Sequence, residues 1–144
     1  MNLQGFNESD IFNLYSYLVA YEKSGIGKTR VSTKKLIKAH PEIASIVDVL
    51  NLVTYHKSTN DVMKVIDPHQ LNNEMYLTKS RANLRLSFLA HLRNGIAHGC
   101  VVGHDRKVFV NDFLVNRPIE LSARGCIDMK IIKQITNIIS KINL

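Results

Sequence analysis

Apolar positions recur at helical spacing over much of the chain. Ile11, Leu14, Tyr15, Leu18, Val19 and Tyr21 fit one amphipathic helix, capped by Ser9 or Asp10 and running through about Ser24. The stretch "GIGKT" breaks that pattern. Ser32 or Thr33 opens a short helix over "KKLIKAH". Pro41 suits the first turn of another, carrying Ile43, Ile46, Val47, Leu50, Val53 and Tyr55. Residues 57–80 are polar and uneven, broken at Asp67-Pro68, and predict short helices or a long loop. A long helix is predicted from about Lys79 to His98, with Leu84, Phe88, Leu89, Leu92 and Ile96 on one face and Gly99 as a left-handed stop. Residues 106–121 change period: "KVFVNDFLVN" and "IELS" are β-rich, with Asn111-Asp112 as a turn. Asp128 then caps a last helix bearing Ile131, Ile132, Ile135, Ile138, Ile139 and Ile142.

The fold expected is mainly α: a single helical domain over residues 1–144, a bundle with a small β-hairpin inserted before its C-terminal helix. Composition adds a direction. The net charge is +7, which favours a polyanionic partner. Tryptophan is absent and aromatics make up 7%, which argues against a base-stacking platform of many rings. Cys100 and Cys126 build no disulfide framework and read as reduced thiols. Glu8, Asp10, Glu22 and Lys23 interrupt any signal-peptide core, and no apolar run is long enough to span a membrane. A cytoplasmic protein without membrane contact is expected.

Two motifs lead nowhere. "GIGKT" resembles a phosphate-binding loop, but Glu22 stands where the first glycine is required, and a helix rather than a strand precedes it. Lys28 and Arg30, with Lys34, Lys35 and Lys38, remain available to touch phosphates. His91, His98, Cys100 and His104 lack the usual metal-ligand pairings, so neither a metal nor a cofactor is expected.

The chemistry concentrates in "HLRNGIAHGC", residues 91–100. Ser87, Ala90, Asn94 and Ala97 form a seam of small residues opposite the apolar face of the long helix. Arg93 and His98 flank it at about 140° from each other. Asn94 and His98 are one turn apart, close enough for a hydrogen bond. His91 lies on the same side, one heptad before His98. Two copies packed seam against seam would bring both Arg93 and both His98 into one cationic groove. Those groups suit metal-free RNA cleavage: an imidazole base for the 2′-hydroxyl, an imidazole acid for the leaving oxygen and a guanidinium for the charged phosphorane.

"LRNGIAHG" resembles the signature of the HEPN superfamily, an Arg, a polar residue, three further positions and a His, often continued by glycine. The match is Arg93, Asn94, His98 and Gly99, and the close resemblance covers residues 84–99. Many HEPN proteins are dimeric, metal-independent endoribonucleases of toxin–antitoxin, abortive-infection and anti-phage systems. Their composite interface site leaves a 2′,3′-cyclic phosphate and a 5′-hydroxyl. The resemblance implies catalytic roles for Arg93 and His98, with Asn94 orienting them; His91, by its helix face, and Lys28 and Arg30, by their charge, are expected on the substrate side. It implies RNA, a second copy and an antitoxin protein as partners. In one toxin subgroup a nucleotidylated tyrosine stands two residues after the His; here that place is Cys100. A non-catalytic HEPN module that binds RNA or a partner protein is the competing reading.

Overall fold

A computed structural model describes residues 4–28, 32–56, 58–64, 70–79, 81, 83–114 and 120–144. The first helix, α1 (Glu8–Ser24), opens on Asn7. The Asn7 side chain accepts from the Asp10 amide while Asp10 reaches back to the Asn7 amide. This reciprocal box satisfies two amides that the first turn would otherwise leave bare. Two short helices follow, α2 (Thr33–Ala39) and α3 (Glu42–Val47). The chain then forms β1 (Asn51–Tyr55), α4 (Thr59–Met63) and β2 (Glu74–Thr78). Next comes α5 (Leu84–Ala97), then β3 (Val101–His104), β4 (Lys107–Phe113) and β5 (Leu121–Asp128). The last helix is α6 (Met129–Ile139).

The strands make one five-stranded mixed sheet in the order β1-β2-β5-β4-β3. β1 and β2 run parallel, and the other pairs are antiparallel. This corrects the mainly α bundle with a hairpin insertion: the chain is an α/β fold, and the sheet is central to it. Helix α3 ends at Val47, and Leu52, Val53 and Tyr55 belong to a strand. Their spacing is compatible with either state, and a short β-branched and aromatic run is settled by its neighbours. β2 hides in the stretch read as polar. Met75 and Leu77 point into the core while Glu74 and Tyr76 alternate outward, a pattern too short to stand out from its flanks.

Other boundaries move for local reasons. α5 begins at Leu84, because the Asn83 side chain accepts from the amides of Arg85 and Leu86; Lys79 lies just beyond β2. Asn111 and Asp112 lie inside β4, and the hairpin turns at Asp105 and Arg106, whose φ values are 50° and 62°. His104 pairs with Lys107 across that two-residue turn. Asp128 occupies the N-cap of α6 without capping it; its carboxylate accepts from the Asn73 side-chain amide instead.

The main core lies between the sheet and the helices α1, α5 and α6. Leu14 and Tyr17 of α1, Phe88, Leu89, Leu92 and Ile96 of α5, and Ile132 and Ile139 of α6 are sealed there with Met75, Leu77, Val108, Val110 and Ile127. Cys126, next to Ile127 and on the opposite face of β5, is fully buried as well, so both faces of that strand are covered. The parallel β1–β2 pair demands a crossover, and α4 within it packs on β5 and β2. Among the described residues, no helix is long and apolar enough to cross a membrane.

Gly95 decides how closely α5 approaches β4. A Cβ there would lie 2.4 Å from a Val110 methyl and 3.0 Å from the Asn111 carbonyl oxygen. Gly95→Ala is therefore expected to destabilise the protein by about 1–3 kcal/mol, despite alanine's better helix propensity. Thermal unfolding measures it. An unchanged or raised melting temperature would contradict this approach of helix to strand.

Candidate functional site

The second half of α5 carries His91, Arg93 and Asn94, and His98 closes it as the C-cap. Gly99 follows with φ 72°. Its amide donates to the Ile96 carbonyl, and the Cys100 amide donates to the Gly95 carbonyl. This paired C-terminal closure needs a left-handed residue after the cap, which glycine supplies without strain. It fixes the backbone from which His98 projects and turns the chain straight into β3.

His91 is buried, facing β4 and the end of β2. Its Nε2 lies 2.8 Å from the Thr78 carbonyl oxygen and its Nδ1 lies 2.7 Å from Asp112 Oδ2. A carbonyl only accepts, so Nε2 carries a hydrogen and donates it. Nδ1 faces the Asp112 carboxylate. The same carboxylate oxygen accepts from the Asn94 side-chain amide at 3.3 Å. Asn94 Oδ1 in turn accepts from an Arg93 terminal nitrogen at 3.2 Å, and Arg93 Nε donates to Glu22 of α1 at 2.9 Å. Ser122 ties off the lower end: its hydroxyl donates to the Asp112 carbonyl, and its own carbonyl accepts from the Thr78 hydroxyl. One continuous polar chain thus runs from exposed Glu22 to buried Thr78.

Above this chain opens a cleft of about 610 Å³. Arg93, Asn94, His98 and Lys79 line it, with Phe113 and Thr59 on the facing walls and His91 and Asp112 in the floor. The sheet supplies the floor because β2 ends, β4 ends and β5 begins at this one edge. His98 is exposed, and among the described residues its imidazole makes no hydrogen bond. Asn94 therefore serves Arg93 and Asp112, and no Asn94–His98 side-chain bond forms among the described residues.

Lys28 sits in an adjoining cleft of about 410 Å³ that also reaches Arg93 and Asn94. The loop carrying it is pinned from behind. The Arg81 guanidinium donates to the carbonyls of Ile26, Gly27 and Lys28. Tyr21 walls the same cleft; burial pushes its phenol up, against the pull of nearby Arg81 and Arg93, so it is a neutral ring at physiological pH. Arg30 lies outside the described residues. The small-residue seam does not form one open stripe. Ser87 is fully buried, its hydroxyl bonded to the backbone amide and carbonyl of Arg81. Ala90 is half-buried and Ala97 exposed.

No family model, curated protein or solved structure matches the chain.

The residues that sequence reasoning missed are Asp112, Glu22, Lys79 and Thr78. Asp112 left a signal. In β4 the inward positions are Val108, Val110 and Asp112, and a carboxylate in an inward register demands a buried partner. Glu22 left none, because its pairing with Arg93 joins positions far apart in the chain.

Chemically, the arrangement offers an oriented guanidinium and an accessible imidazole on one open, cationic cleft. Among the described residues, no three His, Cys, Asp or Glu side chains gather as a metal-binding group.

Proposed function

We propose that this chain is a metal-independent endoribonuclease of a toxin–antitoxin or anti-phage system, acting in the cytoplasm as a homodimer. The observation that carries the reading is that Arg93 and His98 line the same open cleft, with Arg93 held from two sides by Glu22 and Asn94. An oriented guanidinium stabilises a developing phosphorane without reorganising first. The HEPN-type resemblance supports the same residues, although the surrounding fold is not a helical bundle.

In this reading an imidazole removes the 2′-hydroxyl proton, and the 2′-oxygen attacks the adjacent phosphorus. The bond to the 5′-oxygen breaks, and a second imidazole protonates that oxygen. The products are a 2′,3′-cyclic phosphate and a 5′-hydroxyl. Among the described residues lining the cleft, His98 is the one imidazole open for such a role, since both nitrogens of His91 are committed within the fold. His98 of a second copy supplies the other. RNA is the substrate, and an antitoxin protein would be the physiological restraint.

The test is the reaction's dependence on protein concentration, read together with the chemistry of its ends. Cyclic phosphate ends and a specific activity that falls on dilution, as the dimer dissociates, are expected. A specific activity independent of dilution, with a stable monomer by light scattering, would contradict the composite site.

A further inference from the structure

Three cavities meet end to end beside α5. The first, of about 410 Å³, is lined by exposed Lys28 and by the edge of buried Tyr21. The second is the cleft of about 610 Å³ with Arg93, His98 and Phe113. The third, of about 390 Å³, is lined by Thr54, His56, Lys79 and Leu84. Arg93 and Asn94 belong to both the first and the second, and Lys79 to both the second and the third. They are compartments of one groove.

Cationic or imidazole groups recur along the groove: Lys28 in the first compartment, Arg93 and His98 in the second and Lys79 and His56 in the third, with the accessible apolar surface of Phe113 and Leu84 in the second and third. The carboxylates along the groove are engaged: Glu22 holds Arg93, and buried Asp112 holds His91 and Asn94. Lys28 and Lys79 are exposed, and among the described residues neither amine has an ionic partner. Each compartment has the volume of a small-ligand site, enough for one nucleotide. A charged track beside apolar surfaces is what a single strand needs, phosphates on the cations and bases on the walls.

We propose that the groove is a track for single-stranded RNA, in which Lys28 and Lys79 grip phosphates on either side of the one held at Arg93 and His98. This deepens the ribonuclease reading and rests on it for the identity of the central compartment.

The test separates binding from cutting. Full-length His98→Ala protein is titrated in EDTA with a fluorescent RNA strand of about twelve nucleotides, over a range of salt, and with a duplex of the same sequence. Lys28→Gln and Lys79→Gln are each expected to weaken strand binding about threefold to tenfold. Each should also flatten the slope of log affinity against log salt by about 0.7, the share of one phosphate contact on a single strand. The duplex should bind at least about tenfold more weakly than the strand. Unchanged slopes in either lysine variant, equal binding of duplex and strand, or no strand binding at all would overturn the track. Cleavage of the same strand by wild-type protein is scored separately. Lysine-dependent binding without cleavage would remove the nuclease reading and leave the track standing. Cleavage with binding indifferent to both lysines would do the reverse.

Discussion

Replacing Asp112 by alanine is expected to lower the unfolding free energy by about 3–5 kcal/mol, the scale for removing one partner of a buried ionic pair. The carboxylate is buried, with its side chain 5% exposed, and it faces an imidazole that is 3% exposed. Removing it strands His91 Nδ1 in the core and takes the acceptor from Asn94 in the same step. Water has little access to replace either bond. Asp112→Asn keeps an acceptor of the same shape and should cost less, about 1–3 kcal/mol. Urea unfolding followed by far-UV circular dichroism distinguishes these. A loss below about 1 kcal/mol for Asp112→Ala would mean that the strand-to-helix bond does not anchor α5.

His98→Ala should do the opposite: leave the fold alone and remove activity. An exposed side chain without hydrogen bonds among the described residues contributes within about 0.5 kcal/mol to stability. Loss of a general acid or base lowers kcat by about 10²–10⁴-fold. Arg93→Ala should fall similarly, by about 10²–10³-fold, for loss of charge stabilisation in the transition state. Its surface pair with Glu22 is solvent-screened and worth no more than about 1 kcal/mol. Arg93→Lys should rescue little, because an ammonium cannot bond Glu22 and Asn94 while presenting a flat face to phosphate. Single-turnover cleavage beside thermal unfolding separates the two classes. A His98→Ala protein with wild-type kcat would remove His98 from the chemistry.

Strong periodicity was readable along the chain, and pairing between distant strands was not. The last helix follows its apolar spacing, and the Gly99 stop is visible one residue after the cap; the first helix forms, but Tyr15 and Val19 of its expected face are exposed and Tyr17 and Ala20 are buried instead. β1 and β2 escaped because five residues of alternating or β-branched chain carry little local preference; their state comes from each other and from β5. The site divides the same way. Arg93, Asn94 and His98 fall within six consecutive positions, so their common surface was legible. Their anchors were not, since Glu22, Thr78 and Asp112 arrive from α1, β2 and β4. Ser87 shows the limit of a helical wheel, which cannot say which side of a helix the rest of the chain covers.

The cleft at Arg93 and His98 is proposed to cut RNA without a metal. The most direct measurement incubates purified wild-type and His98→Ala proteins with total RNA in EDTA and analyses the new ends. Cutting by the wild type alone is expected, with 2′,3′-cyclic phosphate and 5′-hydroxyl termini. Equal cutting by both proteins, or wild-type ends bearing a 3′-hydroxyl and a 5′-phosphate, would contradict it.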